Sequence, residues 1–268
     1  MEVQASPVKR AAQAEGLEVL QPQKARDEGF HDQIRSLAPD VAVVVAYGKI
    51  LPPALLEIPR RGFVNVHFSL LPAYRGAAPV QHAVIDGLDE TGISIMVLTE
   101  GMDEGPIIAT KTVPIGADDS AGTLGERMAA DGAGLLIPAL EGYVDGRVEP
   151  VEQDHERATY APKLTTEDAR IDWSEPAARV RNLVRGLNPA PGAWTLLGGA
   201  RLKVYATELA SSTGGPKPGE LVLRDDALVA GTGDAALSLT DVQLAGKKRM
   251  SGAELARGLR LGGGETLQ

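Results

Sequence analysis

From Pro7 to about residue 145, the apolar positions switch repeatedly between a helical period and a strand-like one. The pattern predicts helices over Val8 to Glu15 and Asp27 to Leu37, each followed by a strand, Leu17 to Leu20 and Val41 to Ala46. A short helix around Pro53 to Glu57, the strand Phe63 to His67, a helix from about Ala78 to Asp86 and the strand Gly92 to Leu98 come next. Ile107 to Ile115, rich in β-branched residues, reads as a hairpin partner of that last strand, and a long helix runs from about Ser120 to Tyr143. Alternation of this kind predicts an α/β, Rossmann-like domain with a mostly parallel sheet covered on both faces.

The pattern changes after Tyr160. Residues 161–176 mix charges with prolines and read as a linker, followed by a helix near Pro176 to Leu187 that Asn188-Pro189-Ala190-Pro191-Gly192 stops. Short strands separated by turn residues fill the remainder: Ala193 to Leu197, Arg201 to Thr207, Gly219 to Leu223, Leu228 to Ala230 and Ala236 to Val242. They predict a small OB-like β-barrel, and Gly262 to Gly264 reads as a frayed end. The expected division is thus 1–160, a linker over 161–176, and 177–268.

Composition narrows the function. With 43% hydrophobic and 24% charged residues and no apolar run near the ~20 needed to cross a bilayer, a cytoplasmic chain without membrane contact is expected. No secretory signal is visible in MEVQASPVKRAAQ. Zero cysteines exclude disulfides and thiolate chemistry, and the four histidines show no metal-ligand spacing, so no metal is expected. The net charge of -9 is uneven: residues 1–164 carry 14 Lys and Arg against 24 Asp and Glu, and residues 165–268 carry 13 against 12. The two halves are therefore expected to do different work.

The richest stretch for chemistry is Asn65-Val66-His67 running into Ser69-Leu70-Leu71-Pro72. The period of two puts Asn65 and His67 on one strand face. Asp103 lies in the glycine-flanked loop TEGMDEGPII after another apolar strand. An amide that can donate to an oxyanion, an imidazole that can relay a proton and a carboxylate to stabilise its cation suit an amine attacking an activated acyl group. Ser69 is not in a GxSxG turn, so no covalent nucleophile is indicated. The same residues also admit structural roles, Asn65 and Asp103 as turn caps and His67 as a satisfied strand histidine.

NVHFSLLPAYRGAAPVQ with EGMDEGPII resembles the N-terminal domain of the folate-dependent formyltransferases. The resemblance implies 10-formyltetrahydrofolate as donor and Asn65, His67 and Asp103 as the catalytic residues. It also implies a folate pocket around AYGKILP and the SLLP turn, through Tyr47, Gly48, Ile50, Leu51, Ser69, Leu70, Leu71 and Pro72. ARIDW, LNPAPGAW and GKKRM resemble the C-terminal domain of the family members that formylate methionyl-initiator tRNA, and SPVK at Ser6 to Lys9 is also similar to them. That implies methionyl-initiator tRNA as acceptor, a role in translation initiation, and a monomeric enzyme.

Lys247, Lys248 and Arg249 form the densest basic run and are expected to meet the tRNA, with Lys163, Arg170 and Arg75 as further contacts. The bland alternative is a solvated basic turn. Trp173 and Trp194 are expected in the second core, and His31, His82 and His155 are given no role. Compared with the family pattern, the chain begins almost at SPVK; roughly forty residues, about one strand-helix-strand unit, look absent. Marginal stability and weakened tRNA discrimination are expected from that. The competing functions are an amino-sugar nucleotide formyltransferase and a non-catalytic folate- or tRNA-binding remnant.

Overall fold

The computed structural model describes residues 5–48, 50–210 and 215–268. Its first half is built on a four-stranded sheet in the order β1 (Ala42–Val44), β2 (Phe63–His67), β3 (Glu90–Val97), β4 (Ile107–Pro114). The helices are α1 (Pro7–Ala14), α2 (Glu28–Leu37), α3 (Pro53–Leu56), α4 (Pro79–Ile85) and α5 (Ala121–Val144). Ser6, Asp27 and Ser120 cap the first turns of α1, α2 and α5, accepting from the backbone of Lys9, Gly29 and Thr123.

The α/β class is as the pattern indicates, but the sheet is mixed rather than mostly parallel. Only β1 and β2 run parallel; β2 with β3 and β3 with β4 are antiparallel. Periodicity specifies which side chains share a face, not the direction in which a returning strand pairs. The strand expected at Leu17 to Leu20 does not form. Leu17 spends its N–H on the Ala12 carbonyl at 2.9 Å, closing the end of α1, and its side chain is exposed.

The two faces of this sheet have different covers. Val64 and Val66 pack with Ile93 and Ile95 against Leu124 and Met128 of α5 and against Val80 and Val84 of α4. On the other face, Phe63 packs with Ala42, Val44, Leu51 and Leu55, and with Phe30 and Ile34 of α2. Asn65 and His67 lie on this second side by strand alternation. The short α3 covers the Phe63 end, and the sheet beyond it carries the functional pair.

The second half is an antiparallel sheet in the order β5-β6-β9-β8-β7, formed by β5 (Ala193–Leu197), β6 (Ala200–Leu209), β7 (Leu221–Arg224), β8 (Ala227–Gly231) and β9 (Ala236–Leu244). The C-terminal segment closes it. Gly264 donates to the Leu221 carbonyl, Leu221 to the Glu265 carbonyl, and Leu267 to the Gly219 carbonyl on the β7 side. Leu196 and Gln268 exchange backbone bonds of 2.8 and 3.0 Å on the β5 side. The residues that follow Gly262 to Gly264 are therefore a barrel stave, with Leu267 only 4% exposed in the core.

Residues 161–176 are likewise no bare connector. Ala169, Ile171 and Trp173 are buried in the second core, and Trp194 accompanies them. A helix absent from the sequence reading, α7 (Gly252–Leu259), packs on β8 and β9, opened by a reciprocal cap between Ser251 and Glu254.

The halves meet where α6 (Ala177–Gly186) lies along α4. At Gly186 a Cβ would come within 2.4 Å of the Ile85 side chain and 3.0 Å of the Gln81 carbonyl, so only glycine lets the helices approach this closely. Arg185 donates to the Asp119 carbonyl at 2.9 Å, and Arg181 pairs with Asp118 at 2.8 Å.

Asp119 itself is held at about pKa 2, first by the Arg127 guanidinium and also by the Gly116 N–H and the Thr123 hydroxyl. Its folded pKa lies below the unfolded value, so the stabilisation is present above about pH 4 and is lost as pH falls towards 2. With Arg127 42% exposed, the contribution is discounted to roughly 1 kcal/mol. Urea denaturation should show wild type ahead of Asp119→Asn at pH 5, with the gap narrowing progressively as pH falls from about 4 towards 2. A gap that persists unchanged at low pH would refute this account.

Candidate active site

The loop from Leu98 to Pro106 leaves and rejoins the sheet beside Phe63, through the bond from the Leu98 N–H to the Phe63 carbonyl and that from Val97 to Pro106. Because β3 runs antiparallel to β2, Asp103 can reach the His67 end of β2 only if the loop folds back along that strand. It does so, and the space enclosed is a cavity of about 450 Å³. Val44, Tyr47, Ile50, Leu51, Leu98 and Met102 give it apolar walls, with Asn65, His67 and Asp103 among its lining. Its size and mostly apolar lining fit a small-molecule site.

His67 is 5% exposed and its Nε2 lies 2.9 Å from the Tyr74 carbonyl. A carbonyl can only accept, so Nε2 carries the proton and donates. The exchangeable position is therefore Nδ1, which faces Asp103 Oδ2 at 3.6 Å. That gap exceeds a direct hydrogen bond. Asp103 Oδ2 accepts from the Gly76 N–H at 2.8 Å, which fixes the carboxylate beside the ring. Among the described residues nothing hydrogen-bonds the Asn65 side chain, whose amide is left available at the cavity floor.

The backbone around the pair is strained. Asp103 sits at φ 51° and Tyr74 at φ 58°, both in the left-handed region. Gly76, at φ 121°, would drive a Cβ to 2.7 Å from the Ala161 carbonyl, so the donor to Asp103 must be a glycine. Tyr74 is anchored at both ends: its N–H donates to Thr159 Oγ1 and its hydroxyl to Asp86. Burial, reinforced by that Asp86 bond, pushes the phenol up to about 12.

Of the residues expected at a folate pocket, Tyr47, Gly48, Ile50 and Leu51 line the cavity. Lys49, between them, lies outside the described residues. Ser69, Leu70, Leu71 and Pro72 are not among its lining residues. They form a turn in which the Ser69 hydroxyl donates to the Ala73 carbonyl and Ser94 Oγ links the Leu71 N–H to the Ser69 carbonyl. Sequence reasoning missed Leu98, Thr99, Glu100, Gly101 and Met102, the loop wall. Their signal was their position next to Asp103.

Arg75, expected as a tRNA contact, is 3% exposed and so cannot reach a phosphate. Its guanidinium donates twice to Gln153 Oε1, at 3.1 and 2.7 Å, and lies 3.2 Å from His155 Nδ1. Arg249 is also not a free cation: it is paired with Asp241 and lies over the Tyr205 ring at 3.9 Å. Lys247, Lys248, Lys163 and Arg170 are exposed. Arg170 and Arg201 both stack on Trp194, at 5.6 and 4.1 Å, and Lys203 is the cross-strand neighbour of Trp194 between β5 and β6. The Arg201 carbonyl accepts from Ala245, which brings the Lys247 turn beside β6. Arg201 and Lys203 were missed because isolated charges on a strand carry no motif.

No helix is long and apolar enough to cross a membrane among the described residues. Nor do three metal-ligating side chains gather among them.

This fold, with a histidine–carboxylate pair and a free amide at an apolar cavity, fits the class of acyl-group transferases of the α/β type with an attached β-barrel. The formyl transferase pattern matches residues 1–140, and the formyl transferase C-terminal domain pattern matches residues 163–260. Methionyl-tRNA formyltransferase of Streptomyces griseus is 50% identical over 264 residues, covering 98% of this chain and 85% of that protein. The Streptomyces coelicolor methionyl-tRNA formyltransferase is 48% identical over 98% of this chain and 85% of its own length. In fold, the chain is similar to an N-formyltransferase from Helicobacter canadensis solved with folinic acid and dTDP-3-aminofucose. That match has a TM-score of 0.66 at 16% identity, covering 89% of this chain and 82% of the other. The chain belongs to the formyl transferase family, among the methionyl-tRNA formyltransferases.

Proposed function

We propose that Asn65, His67 and Asp103 carry out the family's reaction, transfer of the formyl group of 10-formyltetrahydrofolate to the α-amine of methionyl-initiator tRNA. The observation that carries this assignment is the convergence of a free amide and the His67–Asp103 pair on one apolar cavity. Asn65 donates to the formyl oxygen as it gains charge under attack by the amine, a contact worth roughly 3 kcal/mol in a dry site. His67 Nδ1, the nitrogen not committed to Tyr74, takes the proton that the amine releases, Asp103 stabilises the imidazolium formed, and the proton passes to N10 of the folate as the formyl C–N10 bond breaks and tetrahydrofolate leaves. Tyr47, Ile50, Leu51 and Met102 offer the apolar walls for the folate ring system.

The first half binds donor and catalyses; the second carries the tRNA, with residues 161–176 joining them while contributing to the barrel core. In this reading the chain acts as a monomer in the cytoplasm. The acceptor is decided by offering methionyl-initiator tRNA and amino-sugar nucleotides side by side with 10-formyltetrahydrofolate. Formylated methionyl-tRNA is expected. Transfer to the sugar alone, or folate binding without any transfer, would overturn the proposal.

Arg170, Arg201, Lys203, Lys247 and Lys248 supply cations to the tRNA phosphates. Replacing Lys247 and Lys248 by alanine should raise KM for methionyl-tRNA several-fold and lower the salt slope of binding by about one for each phosphate that is no longer neutralised. KM for the folate should not move. An unchanged salt slope would return the GKKR turn to a solvated surface.

A further inference from the structure

We infer that Gln153 is a positioning residue for this reaction, the brace that holds Asp103 against His67; the inference rests on the catalytic reading of that pair. Gln153 is 5% exposed and every polar atom of its side chain is used. Its Nε2 donates to the Asp103 carbonyl at 2.9 Å and to the Gly105 carbonyl at 2.7 Å. Its Oε1 accepts both bonds from Arg75. The amide can have only this orientation, because carbonyls only accept and a guanidinium only donates.

Four bonds from one side chain thereby join two loops that have no strand pairing with each other. One loop carries Tyr74, Arg75 and Gly76, which hold His67 Nε2 and Asp103 Oδ2. The other carries Asp103 at a left-handed backbone angle that costs energy to keep. Gln153 is itself placed by the paired backbone bonds between Val151 and Ile107, at 2.8 Å each, which add this segment to the start of β4. Arg75 is oriented by its own backbone, donating to Thr159 and accepting from Ala161. Among the described residues no carboxylate pairs with Arg75, so the neutral Gln153 carbonyl and His155 Nδ1 are its side-chain acceptors.

Gln153→Met keeps the length and removes both donors and the acceptor. Turnover should fall on the order of 10- to 100-fold, as expected when a reacting group is displaced by about 1 Å, with KM for 10-formyltetrahydrofolate within about twofold of wild type. In an Asp103→Asn background the same change should add less than about twofold, because the residue it positions has already lost its charge. Gln153→Glu gives Arg75 an acceptor but turns a second one towards the Asp103 and Gly105 carbonyls, so it should remain impaired. If the methionine variant does not fold, Gln153→Asn, one methylene short, carries the same expectation.

The 15N signals of the His67 ring give a readout without turnover: Gln153→Met should move them towards their positions in Asp103→Asn. Wild-type turnover in Gln153→Met, multiplicative losses in the double variant, recovery in Gln153→Glu, or an unmoved His67 signal would each overturn the inference. Wild-type turnover in Asp103→Asn is a different result and would sink the catalytic reading beneath it.

Discussion

His67→Ala should lower turnover on the order of 10³-fold while the protein still melts cooperatively and still binds folate. The effect is this large because one ring does two things. Its Nε2 ties β2 to the Tyr74 carbonyl, and among the described residues its Nδ1 is the only titratable nitrogen lining the cavity beside Asp103. Asp103→Asn should approach the same loss, since the neutral amide keeps the shape but cannot stabilise the imidazolium. Asn65→Ala should cost about 10²- to 10³-fold, the usual value of one oxyanion donor. Losses from residues that act as a unit do not multiply, so the triple variant should be little worse than the worst single one. A steady-state assay giving His67→Ala within tenfold of wild type would remove proton transfer from this residue.

Leu267→Ala should destabilise the protein by about 3 kcal/mol, as for other buried leucines truncated in a packed core. The side chain sits among the residues of the second core, and the backbone around it bonds to both β5 and the β7 side. Gln268 adds a polar relay: its carbonyl accepts from Thr195 Oγ1, which in turn accepts from Trp173 Nε1. Leu267→Asp should be worse, because it places an unpaired carboxylate in that core. Chemical denaturation reads the difference directly, and a Leu267→Ala protein as stable as wild type would mean that the tail does not close the barrel.

These two expectations differ in how they could be reached. Phe63–His67 and Ala193–Leu197 were legible residue for residue, because alternation and the flanking turn residues are local properties. So was the shared face of Asn65 and His67. α7 was legible in principle, since Ser251 and Glu254 stand at capping-box spacing, but half of its residues are glycine or alanine and they give no strong apolar stripe. The strand expected at Leu17 to Leu20 failed because apolar composition cannot say whether a partner edge exists.

By itself, then, the sequence determined most of the element types, the two-part organisation, the strand face that carries Asn65 and His67, and a loop bearing Asp103. Each depends on neighbours a few positions apart. Only the tertiary structure decided that β3 pairs antiparallel with β2, so that the Asp103 loop must fold back over the site. It alone buried Arg75 and set Gln153 between the two loops. It also made a stave of the residues after the glycine run. These features rest on contacts between residues tens of positions apart, such as Gln153 with Asp103 or Leu267 with Gly219, and no local period records which distant backbone group a buried donor will meet.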